Sequence, residues 1–273
     1  MEGLNKEYIK TPGFSAGHAP HLENKRDRRL FRFFEMVPGI LSWGSLILIV
    51  ILSWKQPILA AYFIIAFDLY WLLKTIHISI HHHHNWKRLK HNMKVDWMER
   101  LKPLKYDNLY HMIIVPYVKE GPEIIDSICK SFSEQKYDTK RIIMVLAAEE
   151  RAGERAVEIA KEAEQKYADN FGHFIITVHP KDLPGESIGK GSNSSWAAEQ
   201  ARIRVLDENN ISYKDVLVSA FDSDTIVGDQ YLACVTWHFL TTEDRYHASY
   251  QPVPLYNNNC LLYTSDAADD RMR

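Results

Sequence analysis

Two long apolar runs near the amino terminus constrain this chain more than any other feature. The first covers 37–54 and carries no charged residue, and the second covers 58–80. As a helix the first would be roughly 27 Å long, close to the thickness of the hydrocarbon core of a bilayer. Between them stands Lys55-Gln56-Pro57, a polar break that ends in a residue unsuited to a helix interior. The runs therefore predict a transmembrane helical hairpin over 34–80.

The second run is less uniform than the first, because it contains Asp68, Lys74 and His77. A charge at the centre of a spanning helix costs roughly 2.5–3.5 kcal/mol on insertion scales. We therefore expect Asp68 and Lys74 to face a protein interior or the membrane interface. The alternative is a hairpin buried inside a soluble protein, but the uncharged first run favours the membrane.

Basic residues flank the predicted hairpin on both sides, whereas its short connection has only Lys55. By the positive-inside rule both ends lie in the cytoplasm. The flanking residues are Lys25, Arg26, Arg28, Arg29 and Arg32 before the hairpin, and Lys87, Arg88, Lys90 and Lys94 after it. The prediction is an integral protein of the cytoplasmic membrane with a cytoplasmic segment at 1–33, a basic juxtamembrane segment at 81–104 and a cytoplasmic domain beyond.

Four consecutive histidines, His81 to His84, follow the hairpin. Adjacent residues of a helix point in different directions, so four neighbouring imidazoles cannot all reach one ion. The sequence therefore favours a solvated segment at the level of the lipid headgroups, with a metal site as the alternative.

Beyond position 105 short apolar runs alternate with amphipathic segments. This alternation predicts an α/β fold with a mostly parallel sheet that is covered on both faces. The predicted strands lie at 111–117, 141–148, 173–179, 215–221 and 246–252, and the predicted helices at 123–135, 153–168 and 193–210. Ligands of such sheets bind outside the carboxyl ends of the strands, so the residues just after each strand are candidates for a site.

Composition narrows the classes of function. The net charge is −2, with 46% hydrophobic and 25% charged residues, so neither a disordered chain nor a nucleic-acid-binding surface is expected. The three cysteines lack the spacing of a metal site and fit a reducing compartment.

Three strand ends carry polar residues that could contact a nucleotide. Glu120 follows the first strand and can contact a base or sugar, or can simply favour a helix start. Lys190 stands between two glycines at a helix start and suits an anion, although a flexible loop is the alternative. Asp222 and Asp224 follow the fourth strand, and this spacing suits Mg²⁺ or Mn²⁺ shared with phosphates. The alternative there is a polar turn with an aspartate helix cap.

The order of these motifs resembles the inverting, membrane-associated glycosyltransferases of family 2, the group that contains cellulose- and hyaluronan-synthase-like enzymes. The motifs are IIVPYVKE, RIIMVLAAEE, GKGSNSSWAAEQA and SAFDSDTIV, and the likeness covers about 105–259. The resemblance implies the amino-terminal part of a GT-A domain, a Rossmann-like nucleotide-sugar fold. It also implies that Glu120, Lys190 and Asp222 bind the donor, and that Asp224 and Asp222 hold Mg²⁺ or Mn²⁺.

Two positions depart from the family pattern. Lys119 stands where the family has an asparagine before the loop glutamate. Ala147 and Ala148 precede Glu149 and Glu150 where the family usually ends its second strand in acids that read the base. Either glutamate could serve instead, so the identity of the base stays open.

The resemblance implies a single displacement, in which a metal neutralises the leaving nucleoside diphosphate and a carboxylate takes the proton of the acceptor hydroxyl. No catalytic base of the family pattern occurs within the chain, since Glu243-Asp244 comes too early, and we expect the base downstream of Asn259. The ten residues from Cys260 to Asp269 back-translate to a sequence similar to a transposase adapter of sequencing libraries. We therefore interpret 260–273 as an artefactual tail on a truncated domain, and expect the chain itself to be inactive in transfer.

The predicted function is the transfer of a sugar from a cytosolic nucleotide-sugar donor to a glycan or lipid-linked acceptor, by a protein surrounded by membrane lipids. One alternative is a nucleotide-sugar-binding module without catalysis. Another is a sugar-phosphate nucleotidyltransferase, but IIVPYVKEGPE lacks the Gly-rich signature of that class and the membrane hairpin fits it poorly.

The basic flanks yield a prediction about topology. Reporter fusions at positions 30 and 100 are both expected to report the cytoplasm, and a fusion near Lys55 the opposite side, because basic segments are retained on the cytoplasmic face. Paired reporters, each active on one side of the membrane only, make the measurement in cells. Opposite locations for positions 30 and 100 would rule out the hairpin.

Overall fold

The computed structural model describes residues 22, 24–181, 183 and 189–252. The predicted tail at 260–273 lies outside these residues, as does most of the predicted amino-terminal segment before position 24. The described residues form two compact units, a helical unit up to Asn92 and an α/β unit that contains nearly all the rest from Met93 onward.

The helical unit consists of two long helices, as the sequence predicts. Helix α1 covers Lys25–Lys55, and the side chain of the preceding residue, Asn24, caps its first turn. Helix α2 covers Pro57–Asn92. The break between them falls at Gln56, and a proline opens α2, where its missing N–H removes no helical hydrogen bond. The predicted break is therefore confirmed.

Both helices are long and apolar enough to cross a membrane. Their most apolar windows are only 0% and 6% buried, and so large an exposed apolar area is unfavourable in water. This favours a membrane environment over a hairpin buried inside a soluble protein. Asp68 and Lys74 are exposed too, so the described residues provide no protein interior for either charge to face. Helix α2 also continues well past the predicted end at 80, through the histidine run and the basic segment.

The α/β unit is built on a four-stranded sheet in the order β3-β2-β1-β4, with every neighbouring pair parallel. The strands are β1 Tyr110–Pro116, β2 Ile142–Glu149, β3 His173–His179 and β4 Val216–Ala220. Four of the five predicted strands are thus present, each within one residue of its predicted ends. All residues of β2 are buried, as expected for a central strand of a parallel sheet.

The fifth predicted strand, at 246–252, is wrong. A short 3₁₀ turn covers Arg245–His247, and residues 248–252 form no regular structure. A strand needs a neighbour to complete its backbone hydrogen bonds, and no described strand pairs with this segment. Tyr250 packs instead beside Leu217 and Phe239. The apolar residues of this segment therefore contribute to side-chain packing and do not belong to a paired β-strand.

Helices cover both faces of the sheet, as the sequence predicts. Alternate residues of β1 point to opposite faces: Ile113 packs with the helices on one side, and Met112 and Ile114 pack with a helix on the other. The helices are α3 Trp97–Leu101, α4 Pro122–Ser133, α5 Glu154–Tyr167, α6 Lys190–Ala201 and α7 Tyr231–Thr241. Among the described helices, α6 with the π-helical turn at Arg202–Asp207 that follows it is the one that packs on the second face.

Gly172 marks the closest backbone approach among the described glycines. A Cβ atom at this position would lie 2.1 Å from the carbonyl oxygen of Lys140 and 2.9 Å from its carbon. The N–H of Gly172 also donates to the carbonyls of Thr139, at 3.2 Å, and Ile142, at 3.1 Å. The start of β3 is thereby held against the segment that leads into β2.

Gly172→Ala is therefore expected to destabilise the α/β unit by about 1–3 kcal/mol, because the clash is with rigid backbone. Thermal unfolding of the full chain in detergent, followed by circular dichroism, measures the change. Gly228→Ala is the matched control, since a Cβ there meets nothing within 4 Å. Equal unfolding temperatures for the two variants would contradict the close approach.

Candidate functional site

The sequence-predicted site residues lie at the carboxyl edge of the sheet. Glu120 lies in the loop between β1 and α4, and Asp222 and Asp224 follow β4. Lys190 is the first residue of α6. Because β1 and β4 are neighbouring parallel strands, their exits emerge side by side.

Glu120 connects the two strand exits. One carboxylate oxygen, Oε2, accepts hydrogen bonds from the backbone N–H groups of Val118, at 2.6 Å, and Lys119, at 2.7 Å. The other, Oε1, accepts one from the Ser223 hydroxyl at 3.0 Å. Glu120 therefore orders its own loop and ties it to the loop after β4.

These contacts also set the ionisation of Glu120. Burial on its own would raise the pKa of this carboxyl, but hydrogen bonds from the N–H groups of Val118, Glu120 and Lys119, and from Ser223, outweigh it and hold the pKa below its ordinary value. The carboxylate is thus charged at neutral pH and is stabilised by the fold.

Lys190 and Asp222 form an ion pair between the Nζ and Oδ1 atoms. Their side chains are 51% and 70% exposed, so the pair contributes little to stability. It shows that the ammonium group from the start of α6 lies beside Asp222, the first of the two aspartates that follow β4.

Asn193 fixes the first turn of α6 and therefore the backbone position of Lys190. It is 1% exposed, and its Nδ2 donates to the carbonyl of Ala147 near the end of β2 at 2.8 Å. Its backbone N–H donates to the carbonyl of Gly189 at 3.2 Å. The start of α6 is thereby attached to the exit of a third strand.

The sequence interpretation assigned no role to Ser223 or Asn193. Both are buried polar residues within quoted motifs, Ser223 between two aspartates and Asn193 just inside a helix start. Small polar residues in such positions often form hydrogen bonds to the backbone, so their residue type was the one local sign of a structural role. Their partners, however, are 103 and 46 positions away along the chain.

Asp222 and Asp224 are both exposed and supply hard oxygen ligands. Among the described residues no group of three or more His, Cys, Asp or Glu side chains could hold a metal ion. Two carboxylates fit a magnesium- or manganese-type ion that takes its other ligands from water and phosphate, and do not form a closed protein cage. The oxygen chemistry of the two side chains is compatible with the cation expected from the sequence, which stays a prediction.

The two glutamates at the end of β2 already have partners. Glu149 is 5% exposed and forms an ion pair with Arg151, whose side chain is 44% exposed. Glu150 accepts a hydrogen bond from the backbone N–H of Lys181 at 2.9 Å. Neither contact connects these acids to Glu120, Lys190 or the two aspartates.

Comparison with known proteins adds no identification. No model of a known protein family matches the chain, and no curated protein matches it significantly.

Glu120→Gln is expected to reduce stability at pH 7 by about 1–3 kcal/mol, because it weakens hydrogen bonds to a charged acceptor. The pKa of Glu120 is depressed in the folded state, so its contribution is present above the ordinary pKa of 4.5 and is lost as the pH falls through the lower folded value. The difference from the unsubstituted protein should therefore shrink as the pH falls below about 4.5.

Unfolding midpoints of the full chain in detergent, measured between pH 7 and pH 3, test this expectation. Glu208→Gln is the control, because Glu208 is an exposed carboxylate in the turn after the π-helical segment. If the effect of Glu120→Gln does not depend on pH, the carboxylate does not stabilise the loop in the way described.

Proposed function

We propose that this chain is the donor-binding part of a membrane-anchored, metal-dependent glycosyltransferase that uses a cytosolic nucleotide sugar. One observation supports this most. Three segments distant in sequence meet at one edge of a parallel sheet, joined by the Ser223–Glu120 hydrogen bond and the Lys190–Asp222 ion pair. Edges of this kind are where open α/β sheets bind ligands.

Lys190 and the start of α6 would bind the diphosphate. The first N–H groups of a helix lack helical partners and favour an anion, and the ammonium group adds a full positive charge. Gly189 and Gly191 leave open space, since a Cβ at either position would meet nothing within 4 Å. Backbone and phosphate can therefore approach each other closely.

Asp222 and Asp224 would hold Mg²⁺ or Mn²⁺. When bound, such an ion neutralises negative charge on a nucleoside diphosphate, and the nucleoside diphosphate becomes a better leaving group. Glu120 would contribute by positioning, because it fixes the loop after β1 relative to the loop that carries both aspartates.

The ion pair between Lys190 and Asp222 must open for either side chain to contact a ligand through the same atoms. Opening costs little because both side chains are largely exposed. A diphosphate would take the place of Asp222 beside the ammonium group. Asp222 would then be released as a metal ligand, so that donor and cation bind together.

The two apolar helices of the first unit would anchor the protein in the cytoplasmic membrane with both ends in the cytoplasm. A protein anchored in this way would act at the membrane, where a lipid-linked or growing glycan acceptor would be available. A nucleotide-sugar-binding module without catalysis would use the same donor site, and donor binding alone would not distinguish the two.

Asp224→Asn is expected to weaken nucleoside diphosphate binding by about tenfold or more, because it removes one of two anionic metal ligands, which corresponds to at least about 1.4 kcal/mol. The measurement is isothermal titration of the full chain in detergent with uridine and guanosine diphosphates, with Mn²⁺ or with excess chelator. Chelation should weaken binding to the unsubstituted protein at least as much.

Asp229→Asn is the matched control. Asp229 is five positions further along, and its side chain pairs with Lys136 at 2.8 Å on the surface. This variant should bind as the unsubstituted protein does. Equal affinity with and without chelator, or equal losses for the two variants, would refute the metal assignment.

A further inference from the structure

The histidine run lies within one continuous helix, which decides the direction of each ring. Helix α2 extends to Asn92, so His77 and the run from His81 to His84 share a single helical frame. All five histidines are exposed. Side chains three or four positions apart lie on the same face of a helix, whereas adjacent ones do not.

This frame separates the histidines into two sets. His81 has a histidine four positions before it, His77, and another three positions after it, His84. His82 and His83 have no histidine three or four positions away in either direction. One face of α2 therefore carries a row of imidazoles, and the remaining two rings stand alone on other faces.

The first two rings of this row are already in contact. The ring centroids of His77 and His81 lie 4.4 Å apart, with an angle of 64° between the ring planes. Ligating nitrogens lie about 2.0–2.1 Å from a bound zinc ion, so two of them on one ion are about 3 Å apart. Rotation of two exposed side chains can reach that separation without moving the backbone.

We propose that His77 and His81 form a binding site for a divalent transition-metal ion of the zinc, nickel and copper type. Imidazole nitrogen suits these ions, whereas Mg²⁺ prefers oxygen. The described residues contain no group of three or more metal-binding side chains, so the protein supplies two ligands and water completes the coordination. This site is separate from the carboxylate pair at the sheet edge and does not depend on the function proposed for it.

Its position suggests what the ion does. The two ligands lie one turn apart, where the apolar part of α2 gives way to the basic segment that begins at Lys87. An ion bridging them closes a ring across one helical turn and stabilises the helix locally. The bound ion therefore strengthens the continuity of α2 at the point where the helix would leave the bilayer.

The test uses the full chain in detergent with Zn²⁺ or Cu²⁺ alone, in the presence of millimolar Mg²⁺. Equilibrium dialysis gives the affinity, and electron paramagnetic resonance of the copper-loaded protein reports the number of coordinated imidazole nitrogens. Two nitrogens are expected, with no competition from Mg²⁺. His81→Gln and His77→Gln should each weaken binding on the order of 100-fold, because each removes one of two linked ligands.

His82→Gln is the matched control, since it removes an exposed imidazole of the same run from another face. It should leave affinity and the spectrum unchanged, and circular dichroism should show equal helix content in all variants. Equal losses for His81→Gln and His82→Gln would overturn the proposal, because the run would then bind metal without helical order. So would a loss for His84→Gln with none for His77→Gln, since the pair would then be a different one.

Discussion

The pairing of β1 with β4 is the contact on which the candidate site depends. The two strands are separated by about 100 residues, yet they run side by side in parallel. The ladder continues past the end of β4, where the N–H of Phe221 donates to the carbonyl of Ile114 at 2.9 Å. This bond directs the next residues toward the loop after β1, so the serine that follows can reach Glu120. Without that register, the Ser223 hydroxyl would not reach Glu120, and the loop that carries Asp222 and Asp224 would not be tied to the loop after β1.

The buried core and the exposed edge have different tasks. Central strands β1 and β2 are buried almost completely, which gives the strand exits fixed positions. The charged side chains of Lys190, Asp222 and Asp224 lie in the segments next to these strands and are exposed, whereas Glu120 is half-buried. A rigid base with exposed, weakly paired charges suits a ligand site, because the charges can change partner without loss of the fold. The hydrogen bonds of the buried Asn193 and Ser223 attach the segments that carry these exposed groups to the strand ends and to the loop after β1.

The sequence predicts the elements of this fold well, because a buried parallel strand and an amphipathic helix each leave a local pattern. The predicted strand at 246–252 is wrong, because the apolar character there comes from tyrosine side chains that pack without strand pairing. The predicted end of the hairpin at 80 is too early for α2, since no proline or glycine follows to stop the helix there. The candidate site likewise has one part that the sequence predicts and one part that it does not. The polar residues at strand exits can be read locally, whereas the partners of Ser223, Asn193 and Lys190 are set by tertiary contacts that no local pattern records.

The balance of charge at the sheet edge explains why a cation belongs to the proposed function. Glu120, Asp222 and Asp224 carry negative charge, and Lys190 is the cation paired with one of them. A nucleoside diphosphate brought to this edge alone would meet a locally negative surface and would be repelled. In the proposed function, a divalent ion held by Asp222 and Asp224 would reverse the sign of that interaction, and Lys190 would be free to pair with the diphosphate. The excess of carboxylates would weaken binding of a bare anion, and under this proposal it would favour an anion that carries a metal ion.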